Sequence, residues 1–180
     1  PTIQAAVKSF NAAPFVISLD DLRTSTDVFP IKFLNMQSHH ILLAGADVLS
    51  DLQISTDHLR LRCEQELRNL MLRLRNVFLR NAGHNRSLRR ALDSGIEPFF
   101  TTLAATVGLS SGLTPLTIPE TIDAAVTLLN LDRSTLDELL SLHRSRGQLK
   151  SAALANLVTR FLEVVSQAVA FVDQLEVANE

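Results

Sequence analysis

Tryptophan and tyrosine are absent from this sequence, and phenylalanine, present nine times, is its only aromatic residue. Any core must therefore be filled by phenylalanine and aliphatic side chains, and recognition of bases or sugars by aromatic stacking is disfavoured. A single cysteine, Cys63, permits no intrachain disulfide, which fits a reducing, cytoplasmic setting. Glycine is scarce, with six copies, and neither G-x-x-x-x-G-K-[ST] nor G-x-G-x-x-G occurs, so no glycine-rich phosphate loop is written here. There is likewise no G-x-S-x-G nucleophile motif and no local cysteine–histidine signature. The start, "PTIQAAVKSFNAAP", lacks the hydrophobic run of a signal peptide. Residues 98–119 carry no charge, yet Thr, Ser, Gly and Pro interrupt them too often for a membrane span, so no membrane partner is expected. No repeat period or low-complexity tract argues for a solenoid.

What is present is a folded chain. Its 180 residues are 46% hydrophobic and 20% charged, enough for one buried core with a small appended piece. The net charge is −2, unevenly spread: residues 58–90 hold nine arginines against two glutamates, while the segments on either side are acidic. Such a basic element is either matched inside the protein or open to an anionic ligand.

The first 50 residues mix signals. "TIQAAVKSFN" has the spacing of a short helix that stops near Pro14. "FVISL" reads as a strand, followed by "DDLRTS", whose acids suit a helix N-terminus. "DVFPIKFLNM" reads as a second strand, with Pro30 confining it to an edge or starting it at Ile31, and "QSHHILLAG" as a short helix stopped by Gly45. From Ser55 onward the pattern is helical. Ser55 or Thr56 caps a helix running to about Asn81, broken by Gly83, and a second spans about Asn85 to Val107. "GLSSGLTPLTIP" is a loop, Pro119 suits the first turn of "PETIDAAVTLLN", and "STLDELLSLHR" follows with Ser134 and Asp137 in capping-box spacing and Gly147 as its stop. The last helix, about 149–177, repeats Leu154, Val158, Phe161, Val165, Ala168, Val172 and Leu175 at steps of four and three. Leu157, Leu162, Val164, Val169 and Phe171 widen that stripe, which predicts a central position in a bundle. The expected fold is mainly α: an antiparallel four- to five-helix bundle over residues 51–180, preceded by a small α+β segment with two short strands over 1–50.

"HLRLRCEQELRNLMLRLRNVFLRN" carries the most chemistry. At 100° per residue, Leu59, Cys63, Leu67, Leu70, Met71, Leu74, Val77 and Phe78 gather on one face, and Leu61, Leu72 and Leu79 form a thin line on the other. The charges fall between them as two rails: Arg60, Glu64, Arg68 and Arg75, then Arg62, Glu66, Arg73 and Arg80. Arg60–Glu64, Glu64–Arg68 and Arg62–Glu66 are spaced to pair along the helix, at about 0.2–0.5 kcal/mol each. Arg73, Arg75 and Arg80 have no such carboxylate, and their partners must come from another helix, from solvent or from a ligand. Arg68, Arg73 and Arg75 are the phosphate-binding candidates, a role suited to the planar guanidinium fork. Rails on different sides of one helix in an acidic chain argue against a duplex nucleic-acid surface.

The histidines lack metal-ligand spacing. His39 and His40 are adjacent and diverge on a helix, His84 lies in a turn, and His143 ends a helix beside Arg144 and Arg146. Cys63 sits on the apolar face as a small buried hydrophobe. No metal site is expected within this chain.

"FPIKFLNMQSHHILLAGADVL" followed by "HLRLRCEQELRNLMLRLRNVFL" resembles the later part of bacterial nucleotidyltransferase-superfamily proteins, over about residues 14–81. The resemblance implies an α/β domain that ends in a strand and short helix, with a helical bundle packed on it to help enclose nucleotide and acceptor. The family's G-S turn and strand-borne D-x-D, which hold triphosphate and Mg²⁺, do not occur in this sequence. Mg²⁺ and a nucleoside triphosphate are therefore expected only with a catalytic N-terminal half, and the resemblance implies that Pro1 marks a truncated or proteolysed product, or a gene that lost its catalytic half. Where a further acid is expected, "IKFLNM" offers Lys32 and Asn35. By the same resemblance, Glu64 and Glu66 are the candidates for a general base. The expected function is the substrate-enclosing helical portion of a nucleotidyltransferase-like protein, inactive alone; the alternative is a non-enzymatic helical interaction or dimerisation module. The expected partner is a missing N-terminal domain or a second copy.

Overall fold

A computed structural model describes residues 13–80, 85–145 and 151–175. The helix expected over "TIQAAVKSFN", the breaks at Gly83 and Gly147, and His84 lie outside them. The described residues form seven helices and no strand: α1 Leu19–Thr24, α2 Pro30–His39, α3 Thr56–Arg80, α4 Asn85–Ser111, α5 Ile118–Leu129, α6 Arg133–Ser145 and α7 Ser151–Asp173.

The bundle helices stand where their punctuation puts them. The Ser55 carbonyl opens α3 by accepting from Leu59 N at 2.9 Å. Thr117 and Glu120 close a reciprocal capping box on α5, with a proline at the start of the helix and Asn130 ending it in the left-handed region at φ 53°. α6 departs from expectation. Its cap is Asp132, whose carboxylate accepts from Thr135 N at 2.9 Å and from the hydroxyls of Thr135 and Ser134. These bonds hold the Asp132 carboxyl at about 2, the Thr135 hydroxyl contributing most. α4 runs four residues past the expected Val107 and stops before Gly112, which adopts φ +75°.

Neither expected strand forms. "FVISL" has no regular structure before Ser18, whose backbone is extended and whose side chain caps α1 by accepting from Asp21 N at 3.0 Å, and Leu19 already belongs to that helix. "DVFPIKFLNM" becomes helical from Pro30, whose fixed φ suits a first turn. A strand needs a neighbour for its amides and carbonyls, and the described residues offer none, whereas a helix satisfies them internally. Helical pitch also divides the apolar side chains of α2 in two. Ile31 and Leu34 pack on the main core, while Phe33 and Met36 join Leu22, Leu49 and Leu52 in a small satellite core. "QSHHILLAG" is not a separate helix: α2 ends at His39, His40 is extended, and Gly45 has φ +86°.

The main core is built by α3, α4 and α7, with α5 and α6 packed alongside. α3 and α4 run antiparallel, as shown by Leu70 beside Gly95 and the Cys63 thiol aimed at the Thr102 carbonyl. Cys63 is fully buried, and burial pushes its thiol up to about 12. α7 meets the central position expected of it. Leu154, Leu157, Val158, Phe161, Val164, Val165, Ala168, Val169 and Val172 are all buried. By length and composition alone this helix would also suit a membrane span, yet its apolar residues pack against α3 to α6. Phe161 meets Phe99 edge to face at 5.0 Å.

Gly95 is the close-approach point. A Cβ there would lie 3.0 Å from Leu70 Cδ1 and 3.8 Å from Phe161 Cε1. Gly95→Val is expected to destabilise the fold by about 1–3 kcal/mol through overpacking, read by denaturant unfolding. Unchanged stability would show that the three helices are not in close contact there.

Candidate functional site

The concavity with the most chemistry lies where α2 crosses α3 and α4. It is a cleft of about 380 Å³ lined by Phe29, Ile31, Lys32 and Asn35 of the α2 region, Arg62 and Glu66 of α3, and Glu97, Pro98, Thr101 and Thr102 of α4. Helical pitch explains the set. Lys32 and Asn35 are three apart on α2, Arg62 and Glu66 four apart on α3, and Glu97, Thr101 and Thr102 about one turn apart on α4. Pro98 lacks an amide hydrogen, so within α4 it cannot donate to the Ser94 carbonyl beside the cleft.

Charges of both signs meet here. Arg62 Nη2 binds Glu66 Oε1 at 2.6 Å and Arg62 Nη1 donates to Gln65 at 2.9 Å. The Lys32 ammonium sits 3.4 Å from the centroid of the Phe15 ring. The hydroxyls of Thr101 and Thr102 donate to the carbonyls of Glu97 and Pro98 within α4. A concave site with apolar walls, two cations and two carboxylates suits a small ligand bearing both polar and apolar surface.

The structure separates the two glutamate candidates. Glu66 faces the cleft; Glu64 is held between Arg60 at 3.5 Å and Arg68 at 2.7 Å, on the flank toward α7. All three ion pairs expected along α3 form. The three phosphate candidates are not brought together. Arg68 is engaged by Glu64 and by Asp173 at 3.3 Å, and its guanidinium is held above its ordinary value chiefly by Glu64. Arg73 lines a hollow of about 140 Å³ with Glu66, Asn69 and Thr102, next to the cleft. Arg75 is exposed on the outer side of α3, with no ion pair among the described residues. Sequence reasoning missed Glu97 as a lining residue. Its only signal was the "IEPF" break inside a helical pattern, which does not say which way the side chain turns.

Among the described residues, no group of three or more His, Cys, Asp or Glu is placed to hold a metal ion. The cleft itself holds two carboxylates, one already engaged by Arg62, fewer free donors than an all-protein Mg²⁺ cage uses.

A second polar assembly borders the site. His39 Nε2 lies 2.8 Å from the Leu116 carbonyl, tying α2 to the α4–α5 loop. His40 Nδ1 faces the Gln37 carbonyl at 3.0 Å and Nε2 faces both Asp47 oxygens at 2.9 and 3.0 Å. Both ring nitrogens thus face acceptors, which favours the imidazolium. Asp47 raises His40 above its ordinary 6.5, and the same hydrogen bond lowers Asp47 below 3.8. The Gln37 amide adds contacts to the carbonyls of Leu49, Ser50 and Leu52, so the turn carrying Leu52 to the satellite core is tied down.

Comparison with protein-family models, curated proteins and solved structures finds no match for the chain.

The pair has a defined pH window. His40 is raised in the fold, so its contribution is full below 6.5 and fades as pH climbs through the folded value; Asp47 is lowered, so its contribution is full above 3.8 and fades as pH falls through its folded value. His40→Gln is expected to reduce amide protection over residues 47–52 most at pH 5 to 6 and progressively less toward alkaline pH, read by hydrogen exchange against the parent protein. An effect that grows toward alkaline pH would contradict the pairing.

Proposed function

We propose that this chain is the helical, substrate-enclosing portion of a nucleotidyltransferase-like protein, catalytically silent by itself. One juxtaposition supports the reading. The two segments that carry the family resemblance, "FPIKFLNM" and "HLRLRCEQELRN", face each other across a single cleft, through Lys32 and Asn35 on one wall and Arg62 and Glu66 on the other. In this reading Glu66, the cleft-facing glutamate, takes the proton of an acceptor hydroxyl, and Arg62 orients it. Arg73, beside the cleft, is the phosphate-facing arginine; Arg68, engaged by two carboxylates, is the weaker candidate. Mg²⁺ and a nucleoside triphosphate would be held by a G-S…D-x-D half, which supplies the metal-assisted phosphoryl chemistry.

A second reading, a non-enzymatic interaction or dimerisation module, is favoured by a different observation. Nine of the fifteen exposed large hydrophobic side chains among the described residues fall between Phe15 and Val48, with Val16, Ile41 and Leu43 each more than 80% exposed. The first reading assigns this surface to the α/β half, the second to a partner or a second copy.

The coding sequence ahead of Pro1 separates them: a G-S turn followed by D-x-D is expected there, and an unrelated domain would sink the first reading. In solution, the chain alone is expected to show no Mg²⁺-dependent nucleoside-triphosphate turnover; steady turnover abolished by Glu66→Gln would overturn its silence. Arg75→Ala is expected to leave the melting temperature within about 1–2 °C, since an exposed, unpaired surface arginine contributes little, and a loss of several degrees would show that it braces the bundle.

A further inference from the structure

Two adjacent histidines at the end of α2 send their rings to different parts of the molecule. His39 reaches the α4–α5 loop, with Nε2 2.8 Å from the Leu116 carbonyl and Nδ1 2.9 Å from the Asn35 carbonyl of its own helix. His40 reaches the turn after α2, with Nδ1 3.0 Å from the Gln37 carbonyl and Nε2 2.9 Å from Asp47 Oδ1. Both nitrogens of both rings therefore face acceptors. A neutral imidazole carries one N–H and one lone pair, so it serves only one of its two acceptors; an imidazolium serves both. All four contacts are satisfied together only when both rings are protonated.

Each arm leads further into the fold. The Leu116 peptide, held by His39 through its carbonyl, donates its amide to Glu120 Oε2 at 3.0 Å, and Thr117 N donates to the same oxygen at 3.1 Å. His39 thus reaches the capping box of α5. Asp47 Oδ1 accepts from Leu49 N and Ser50 N, each at 3.2 Å, so His40 reaches the turn that delivers Leu52 to the satellite core. The anchor shared by both arms is the last turn of α2, which follows directly on Asn35 of the cleft wall.

We propose that His39 and His40 act together as a proton-operated clamp on the cleft. With both rings charged they pin the end of α2 to the start of α5 and to the 47–52 turn. As the rings lose their protons both arms let go, and the wall bearing Lys32 and Asn35 loosens from α3 and α4. The surrounding charges favour this sense. Asp47 faces His40 and borders, with Asp51 and with Arg23 of α1, a hollow of about 490 Å³. Glu120 stands behind Leu116 on the His39 side. α4 carries no charge after Glu97, and the charged groups of α3 at the cleft, Arg62 and Glu66, are paired with each other. Asp47 holds His40 above its ordinary 6.5, so the contribution of that arm is full below 6.5 and fades as pH rises through the folded value. The clamp involves α2 and its neighbours alone and holds under either function proposed above.

The test follows the full chain between about pH 5.5 and 8, a window in which imidazoles change charge and ordinary carboxylates do not. Ring titration is read by NMR, and amide hydrogen exchange is read alongside it as protection factors corrected for the intrinsic rate. Both rings are expected to titrate in this window. Protection of the Leu116 and Thr117 amides, of the Leu49 and Ser50 amides, and of residues 34–39 is expected to fall about three- to tenfold as they do. His39→Gln is expected to flatten the profile at Leu116 and Thr117, and His40→Gln that at Leu49 and Ser50. Protection that stays level or rises across the window, a fall at one arm only, residues 34–39 keeping full protection while both arms release, or an unchanged profile in the double variant His39→Gln/His40→Gln would each overturn the clamp.

Discussion

The close approach of α3, α4 and α7 at Gly95 is the contact from which the rest of the molecule takes its position. With no side chain there, Leu70 and Phe161 reach the α4 backbone, and Phe99 turns its ring onto Phe161. These three long helices set the main core, against which α5 and α6 are then laid. Buried hydroxyls do not disturb it, because Thr102 and Thr106 return their donors to the helix's own carbonyls at 2.9 Å.

The cleft is a consequence of α2 serving two cores. Ile31 and Leu34 hold it to the bundle, while Phe33 and Met36 hold it to the satellite cluster with Leu22 and Leu52. A helix fixed on both sides cannot settle fully onto α3 and α4, and the gap is lined by whatever its free face presents, Lys32 and Asn35. The His40–Asp47 pair and the Gln37 amide keep the following turn against this arrangement, so the cleft depends on polar contacts as well as on apolar burial.

The arginines of α3 do different work on different sides of one helix. Arg60 and Arg68 reach toward the end of α7, where Arg68 meets Asp173 and Arg60 the Val172 carbonyl at 3.5 Å. Arg62 restrains Glu66 at the cleft. Arg75, on the outer side, is left for solvent or a partner. Net charge of the segment alone would not separate these roles.

Sequence by itself determined the helices from Ser55 onward and the inward faces of α3 and α7, because helical pitch makes apolar spacing a direct record of which side is buried. It also determined the three ion pairs along α3, since partners one turn apart need no other element to meet. It did not determine the state of "FVISL" and "DVFPIKFLNM": short apolar runs fit a strand or a helix equally, and the choice rests on whether a neighbouring strand is available and where Phe33 can be buried. Nor could it separate Glu64 from Glu66, or bring Glu97 beside Lys32. Those outcomes depend on which helix crosses which, and that is decided only when distant parts of the chain compete to bury the same apolar surface.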